Sequence, residues 1–328
     1  MISGIHIAEA VIALGILSSI GMITAAWRSG ISVRAWLVTA AVPFLAPNFD
    51  GAGAIERAVA ENRAAGPGRP PKHQLKRFTF REDHMGGHKL FRLAAKDRNR
   101  PLRMLYLHGG AYILDLQPMQ WTIAAGLLDR LGGEVAAPIY PLAPEHSWQD
   151  GLEAVERAYL TLIQASGAEN VVVFGDSAGG GLALALAQRL RDTSQTQPVA
   201  LLLFSPWLDI GVVGEDQPAL EARDPALSIE FLRKAGQLWA SGLSPTDPRV
   251  SPLFGNHQDL PPTMVFSGTR DILDSDGLRL ARLNPAVDHR HYRNMIHVWP
   301  GAPIPEAKKA LDEAASFIER ELTAAHTI

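Results

Sequence analysis

The segment Gly-Asp-Ser-Ala-Gly at residues 175–179 has the residue types and spacing needed for nucleophilic chemistry. It follows the apolar run NVVVF and opens a helix-like stretch, GGLALALAQRL. A serine on a sharp strand-to-helix turn, flanked by glycines that let the chain turn tightly, presents its hydroxyl at the top of a sheet. Phosphate-binding loops are also rich in glycine, but the spacings they use are absent here. We therefore predict that Ser177 is a covalent nucleophile.

A second glycine-containing turn could stabilise the negative charge that forms when a serine attacks a carbonyl carbon. His108, Gly109 and Gly110 follow the strand-like run RMLYL. Glycine lets backbone N–H groups approach a developing oxyanion without a Cβ in the way. We predict that the N–H groups of Gly109 and Gly110 form this oxyanion hole, together with the N–H of Ala178, which follows the nucleophile.

A serine nucleophile also needs a base, and the chain has 11 histidines. Where the serine lies on such a turn, the acid and then the base follow it in chain order, which restricts the candidates to His289, His291, His297 and His326. His289 and His291 alternate within the strand-like run DHRHYR and share one face, which is typical of packing. His326 lies in the terminal tail. The sequence therefore predicts His297, in the loop after that strand, as the base.

The orienting acid is expected at the end of the preceding strand. Asp271 comes directly after the run TMVFSG, and Asp274 and Asp276 follow where a helix should begin. Acidic residues in a first helical turn favour the helix dipole, whereas a carboxylate at a strand end can hold an imidazole in the correct tautomer. We predict that Asp271 orients His297.

The elements that must position these residues form an alternating pattern. Short apolar runs are mostly separated by amphipathic stretches of helical length, which predicts an α/β fold with a mostly parallel sheet and helices on both faces. Two earlier runs, at residues 74–80 and 88–95, predict neighbouring antiparallel strands joined by a turn at EDHMGG. The long segment between Ser205 and Thr263 leaves from a strand end, where it could cover the site as a cap. The apolar runs are RMLYLH, EVAAPIY, NVVVFG, ALLLFS and TMVFSG.

Composition excludes several classes of function. Of the 328 residues, 47% are hydrophobic, which is enough for a large core. The 31 Lys and Arg residues do not exceed the 34 Asp and Glu residues, so no basic excess is available to bind nucleic acid. The absence of cysteine excludes disulfides, thiolate metal sites and cysteine nucleophiles. We expect a small-molecule substrate and no metal or cofactor.

The N-terminus differs from the rest of the chain. Residues 10–27 form an uncharged run of 18 residues, which reaches the lower length for a membrane-spanning helix. Arg28 and Arg34 follow this run, and no Lys or Arg precedes it. We predict that residues 7–27 anchor the chain in a membrane, with the rest of the chain on the cytoplasmic side. The alternative is a helix that packs on the globular domain or covers its cap.

Several motifs together resemble one family. HGGAY, YPLAPEH, GDSAGG, SPWLD, DPRVSPLFG, GTRDILDSDG and MIHVWP occur in this order. In this they resemble the hormone-sensitive-lipase-like branch of the α/β-hydrolases, the bacterial carboxylesterases that include lactone and acetyl-ester hydrolases. The resemblance runs from about residue 31 to the end, so residues 1–28 have no counterpart in it.

The resemblance implies an α/β-hydrolase fold with a helical cap and the same triad and oxyanion-hole residues as those predicted above. It implies a domain over residues 29–328 with a cap from residues 31–66 and 206–240, and supporting roles for His108 and Asp176. The expected reaction is hydrolysis of short-chain carboxylic esters or small lactones through an acyl-enzyme, because a capped pocket of ordinary volume rejects long chains.

Three other functions fit the same residues. An acyltransferase would use the same triad with a different acceptor, and a non-catalytic ligand receptor would use the same fold. A metal enzyme would bind its ion through His289, His291 and His297. One departure from the family pattern concerns the segment between Asp271 and His297, which is short and predicts a truncated helix there.

Overall fold

The strands form one eight-stranded sheet in the order β1-β2-β4-β3-β5-β6-β7-β8. The structure is a computed structural model that describes residues 21, 23–45, 49 and 51–327. β1 is antiparallel to β2 and β2 to β4, and all other neighbours are parallel. The strands are β1 (Phe78–Met85), β2 (His88–Ala95), β3 (Arg103–Leu107), β4 (Glu134–Pro138), β5 (Val171–Asp176), β6 (Ala200–Phe204), β7 (Thr263–Arg270) and β8 (Asp288–Ile296).

The strands alternate with helices along the chain, as the sequence predicts. Residues 23–29 are also helical. The helices that follow are α1 (Val33–Leu45), α2 (Ala54–Ala65), α3 (Lys72–Leu75), α4 (Trp121–Leu131), α5 (Trp148–Ser166), α6 (Ala178–Asp192), α7 (Gln217–Glu221), α8 (Ile229–Ala240), α9 (Asp274–Leu283) and α10 (Pro305–Ala325).

Both faces of the sheet are buried, because successive side chains along each central strand enter different cores. Leu105 and Val173 belong to the core that includes α5, α6 and α8. Tyr106 and Phe174, the next residue on each strand, belong to the core that includes α4 and α10. The predicted α/β class, with a mostly parallel sheet covered on both faces, is confirmed.

The N-terminal hairpin differs from its prediction. The strand expected at residues 74–80 runs instead from Phe78 to Met85, and α3 occupies its predicted start. The residues predicted as a turn, EDHMGG, are mostly strand, and the turn is confined to Gly86 and Gly87. Both glycines have positive φ, 57° and 87°, which is the backbone conformation that a two-residue hairpin turn requires. The glycine pair therefore decides where the strands end.

The two helices within residues 31–66, a range predicted to form part of the cap, pack on different cores. α2 packs in the same core as α8, and the ring of Phe49 lies 4.2 Å from the ring of Phe231. α1 lies on the other side: Ala35 belongs to the second core, and Ser32 at the start of α1 donates hydrogen bonds to Glu306. Of residues 31–66, α2 therefore packs beside residues 206–240, and α1 packs beside α10.

Most of the predicted membrane anchor, residues 7–27, lies outside the described residues. No helix in the described part of the chain combines the length and the apolar character needed to span a bilayer.

The short segment between Asp271 and His297 contains α9, a helix of 10 residues.

The first turn of α6 lies against the end of β3 with no room for a side chain at Gly179. A Cβ at this position would collide with the carbonyl oxygens of Leu107 and His108. We expect Gly179→Ala to lower the free energy of unfolding by about 3 kcal/mol or more, because the obstacle is rigid backbone. Gly301→Ala is the matched control, since a Cβ there makes ordinary contacts of 3.6 Å with Ile123. Urea denaturation measures both, and equal stability of the two variants would contradict the prediction.

Candidate active site

Ser177 lies at the junction of β5 and α6 in a strained backbone conformation. Its φ is 53° and its ψ is −123°, values that a residue with a side chain rarely adopts. Two hydrogen bonds hold the turn: the Ser177 N–H donates to the Phe204 carbonyl at 2.9 Å, and the Trp207 N–H donates to the Ser177 carbonyl at 2.9 Å. Because β6 and the residues after it fix the turn, the serine is held at the carboxyl end of the sheet.

Asp271 and His297 form a hydrogen-bonded pair. His297 Nδ1 lies 3.0 Å from Asp271 Oδ2. The other carboxylate oxygen, Asp271 Oδ1, accepts the N–H of Leu273 at 2.9 Å. Asp271 is completely buried, and hydrogen bonds within the protein fix the orientation of both of its carboxylate oxygens. The predicted contact between these two residues is present, and it leaves Nε2 of His297 as the nitrogen that can exchange a proton with a nucleophile.

The end of β6 brings the histidine and the serine to the same place. The N–H of Val298, next to His297, donates to Ser205 Oγ at 3.1 Å. Ser177 is bonded to Phe204, the residue before Ser205. Among the described residues no hydrogen bond joins Ser177 Oγ to His297. Such bonds are often long in enzymes without substrate and shorten when it binds.

Three carboxylates act on the imidazole of His297. Burial lowers its pKa, but the charge and hydrogen bond of Asp271 raise it, and the charges of Asp224 and Asp176 raise it further. The net result is a pKa above the ordinary value of 6.5. The surroundings therefore favour the protonated imidazolium, which is the form that a general base takes after accepting a proton.

Asp176 connects the serine turn to the turn after β3. This buried carboxylate accepts the Tyr106 hydroxyl at 2.6 Å, the Gln120 side-chain amide at 2.8 Å and the Gly109 N–H at 3.1 Å. Burial raises its pKa, and the three hydrogen bonds oppose that shift. Because its neighbour is Ser177, the carboxylate fixes the distance between the two turns.

The contact with Asp176 corrects the prediction for Gly109. Its N–H is bonded to a carboxylate and is therefore not directed at an oxyanion. The N–H groups of Gly110, Ala111 and Ala178 have no hydrogen-bond partner among the described residues. Gly110 and Ala111 have φ values of 130° and 52°, and successive N–H groups in such unusual conformations can form a concave site for an anion. The free donors thus lie one residue further along the chain than predicted.

His108 supports the same turn from below. It is completely buried, its Nδ1 lies 2.9 Å from the carbonyl oxygen of Gly109, and its ring stacks on Tyr140 at 4.3 Å. Burial lowers its pKa to about 4, so the ring is neutral near pH 7. The Tyr140 hydroxyl donates to the His108 carbonyl at 2.6 Å. His108 therefore acts through packing and hydrogen bonds.

His289 and His291, two of the three histidines in the metal interpretation, contact other side chains. His289 Nε2 lies 2.7 Å from Ser267 Oγ, and His291 Nε2 lies 3.0 Å from Asp274 Oδ2. Ser267 in turn donates to Asp274. Within the part of the chain that the structure describes, no three His, Asp or Glu side chains are arranged to hold a metal ion. The two rings stack at 5.6 Å on one strand face, as the alternation predicts.

Asp274 and Asp276 begin α9, as predicted, but they do more than favour its dipole. Asp274 bonds Ser267 and His291, and Asp276 Oδ2 accepts the N–H groups of Leu208 and Asp209 at 2.7 and 3.0 Å. Asp276 thereby fixes the chain just after β6, at the start of residues 206–240.

Four residues that organise this site were not predicted from the sequence. Tyr106 and Gln120 bind Asp176, Ser205 holds the loop of His297, and Asp224 acts electrostatically on His297. Only Tyr106 carried a signal, because it lies two residues before His108 on a predicted strand. All four act on partners far away in the chain, which no local pattern indicates.

Comparison with known proteins agrees with the fold. Residues 104–301 match the model of a family described as having the alpha/beta hydrolase fold. An esterase of Acinetobacter venetianus is 34% identical over 222 residues, which cover 65% of this chain and 73% of that protein. An acetyl-hydrolase of Streptomyces hygroscopicus is 32% identical over 222 residues, which cover 66% of this chain and 74% of that protein.

A solved esterase structure has the same fold as this chain. The crystal structure of an esterase from the bacterial hormone-sensitive lipase family superimposes with a TM-score of 0.71 and 26% identity, covering 83% of this chain and 99% of that one. Sequence and structure thus point to the same group of enzymes. The chain belongs to the α/β-hydrolase fold family, in its hormone-sensitive-lipase-like branch, and it is a carboxylic ester hydrolase.

Proposed function

We propose that the enzyme hydrolyses carboxylic esters through a covalent acyl-enzyme formed on Ser177, with His297 as the base and Asp271 as the orienting acid. The observation that carries this proposal is the 3.0 Å contact between His297 Nδ1 and Asp271 Oδ2, in a loop that β6 holds beside the strained serine turn. A neutral imidazole held by a carboxylate at Nδ1 presents Nε2 as a proton acceptor.

The reaction proceeds in two halves. The hydroxyl of Ser177 attacks the ester carbonyl while His297 Nε2 accepts its proton. The imidazolium then returns that proton to the leaving alcohol, and an ester bond to Ser177 remains. A water molecule attacks this ester while His297 accepts its proton, and the imidazolium then returns that proton to Ser177 Oγ as the bond to the acyl group breaks and the acid leaves. Asp271 keeps the tautomer and stabilises the imidazolium in both halves.

The oxyanion of each tetrahedral intermediate is assigned in this proposal to the N–H groups of Gly110, Ala111 and Ala178. Their lack of other partners among the described residues supports this assignment, and the bond from Gly109 to Asp176 argues against the predicted role of Gly109. Donors that are fixed before the reaction need no reorganisation as the charge develops.

An aromatic cluster beside the serine supports a preference for short acyl chains. The ring of Tyr112 stacks on the rings of Trp239 at 4.3 Å and Trp207 at 5.5 Å, and all three side chains are buried. Trp207 is bonded to the Ser177 carbonyl, and a Cβ at Gly181, one helical turn from Ser177, would lie 2.8 Å from the Tyr112 hydroxyl. Rigid rings fill the space that a long acyl chain would need.

For residues 7–27 we propose attachment to a membrane, with the hydrolase domain on the cytoplasmic side. The uncharged run and the arginines that follow it support this proposal. So does the exposure of apolar side chains at its described end, where Trp27 is 80% and Ile23 is 56% exposed.

The nucleophile is tested by Ser177→Ala. We expect kcat for a short p-nitrophenyl ester to fall by about 10⁴ or more, because the covalent step is lost while binding remains. Ser316→Ala, on the exposed face of α10, is the matched control and should keep wild-type activity. A fluorophosphonate label located by peptide mass spectrometry should lie on Ser177, and a label on another residue would falsify the assignment.

The acyl-chain preference is tested by Trp239→Ala. Removing this ring opens space within the aromatic cluster, against the ring of Tyr112, so we expect the ratio of kcat/KM for octanoyl over butanoyl esters to rise about tenfold. Trp121→Ala is the matched control, because Trp121 is equally buried but lies in the other core. That variant should lose stability without a change in the ratio. Equal ratios in both variants, or a wild type whose activity increases steadily to palmitoyl esters, would refute the preference.

Membrane attachment is tested by cell fractionation. The full chain should remain with membranes after carbonate and high-salt washes, because a buried apolar helix is not displaced by salt. A chain that starts at residue 29 is the control and should be released. Release of the full chain by either wash would exclude the anchor, and loss of the hydrolase domain on protease treatment of intact cells would exclude the orientation.

A further inference from the structure

Asp224 is a carboxylate from the segment between α7 and α8 whose functional role the mechanism above leaves open. One of its oxygens, Oδ1, accepts the N–H groups of Ala226 and Leu227 at 2.8 and 3.0 Å. This pattern, in which an aspartate bonds N–H groups two and three residues ahead, fixes a local turn. The turn leads into α8, so Asp224 is rigidly placed within residues 206–240.

The other oxygen of Asp224 leaves that segment and reaches the turn after β7. Oδ2 accepts the N–H of Ile272, the residue after Asp271, at 2.9 Å. A neighbouring bond runs in the opposite direction, from Arg270 Nε to the carbonyl oxygen of Arg223 at 3.2 Å. Residues 223–224 are therefore hydrogen-bonded to the residues that precede and follow Asp271 in the chain.

The charge of Asp224 acts on Asp271 and on His297. Asp271, Asp224 and Asp176 are the charged groups that act on His297, from the ends of β7, the cap segment and β5. Burial and the charge of Asp271 raise the pKa of Asp224 to about 6, and the charge of His297 opposes that shift. At pH 8 Asp224 is therefore mostly ionised.

We propose that Asp224 is a positioning residue of the triad, a carboxylate from the cap segment that stabilises protonated His297 and holds the turn that carries Asp271. This inference rests on the proposed triad. Asp271 has one oxygen on His297 and the other on the Leu273 N–H, and it does not accept the neighbouring Ile272 N–H. A second carboxylate performs that task and adds its charge to the same imidazole.

The consequence for catalysis follows from the charge on His297. The ring becomes cationic when it accepts the proton of Ser177, and a nearby negative charge makes that transfer more favourable. At an effective dielectric constant of about 20, one charge changes the pKa of a group about 10 Å away by about one unit. Without the charge of Asp224, His297 becomes a weaker base that remains neutral to lower pH.

The test compares Asp224→Asn, which keeps the shape and removes the charge, with the wild type in the full chain. The dependence of kcat/KM on pH is measured from pH 4.5 to 9 with a short p-nitrophenyl ester. We expect the acid limb of the profile, where His297 loses its proton, to move down by about one pH unit. We expect kcat at pH 8 to fall about three- to tenfold, with KM nearly unchanged.

Two further variants separate charge from structure. Glu221→Gln removes a carboxylate from the same segment, where Glu221 accepts the Ile229 N–H at 2.7 Å, and it should leave the profile in place. Asp224→Glu retains the charge and should keep the acid limb within about 0.3 pH units of the wild type. If circular dichroism shows that Asp224→Asn has lost its native fold, Asp224→Ser, whose hydroxyl can accept one N–H bond, repeats the comparison.

The outcomes distinguish this inference from the proposal on which it rests. Activity that survives in Ser177→Ala overturns the triad itself. If that variant is inactive but folded Asp224→Asn keeps the acid limb of the wild type, only the role of Asp224 is overturned. An equal shift of the limb in Glu221→Gln also overturns it, because the effect would then follow from net charge alone. A downward shift confined to Asp224→Asn supports it.

Discussion

A single buried carboxylate ties together the two turns on which this site depends. Asp176 accepts hydrogen bonds from a strand residue, a side-chain amide and the backbone of Gly109. Its own backbone continues into the strained turn of Ser177. Burying a carboxylate away from water costs free energy, and the three hydrogen-bond donors offset that cost. The same bonds that stabilise the carboxylate therefore also set the spacing between Ser177 and the N–H groups of Gly110 and Ala111.

Charge at the other end of the site is organised around one imidazole. His297 is buried, which disfavours its protonated form, yet three carboxylates from separate elements shift the balance towards that form. Two of them end sheet strands and the third comes from the segment between α7 and α8. A base with these neighbours is suited to holding a proton briefly between nucleophile and leaving group. The segment between α7 and α8 thus contributes to the electrostatics around His297.

The fold supplies rigidity where the chemistry needs it. The carboxyl ends of β3, β5, β6 and β7 lie side by side at one edge of the sheet, and backbone hydrogen bonds join each of these strands to its neighbour. Glycines allow α6 to approach β3 so closely that carbonyl oxygens occupy the space of a side chain at Gly179. The aromatic rings of Tyr112, Trp207 and Trp239 pack on one another, and the Trp207 N–H is hydrogen-bonded to the Ser177 carbonyl. Close packing therefore limits both the motion of the turn and the room next to it.

The sequence by itself determined the fold class, the central strands and the pairing of Asp271 with His297, because apolar periodicity and turn residues act locally and the order of acid and base follows the chain. Only the tertiary structure decided where the N–H of Gly109 points, which strand residues form the first hairpin, and that Asp224 contacts the turn that carries Asp271. These features depend on partners that are distant in sequence, such as the carboxylate of Asp176 for Gly109 and the backbone of Ile272 for Asp224. Competition among buried polar groups for the nearest donor is settled only when the elements pack together.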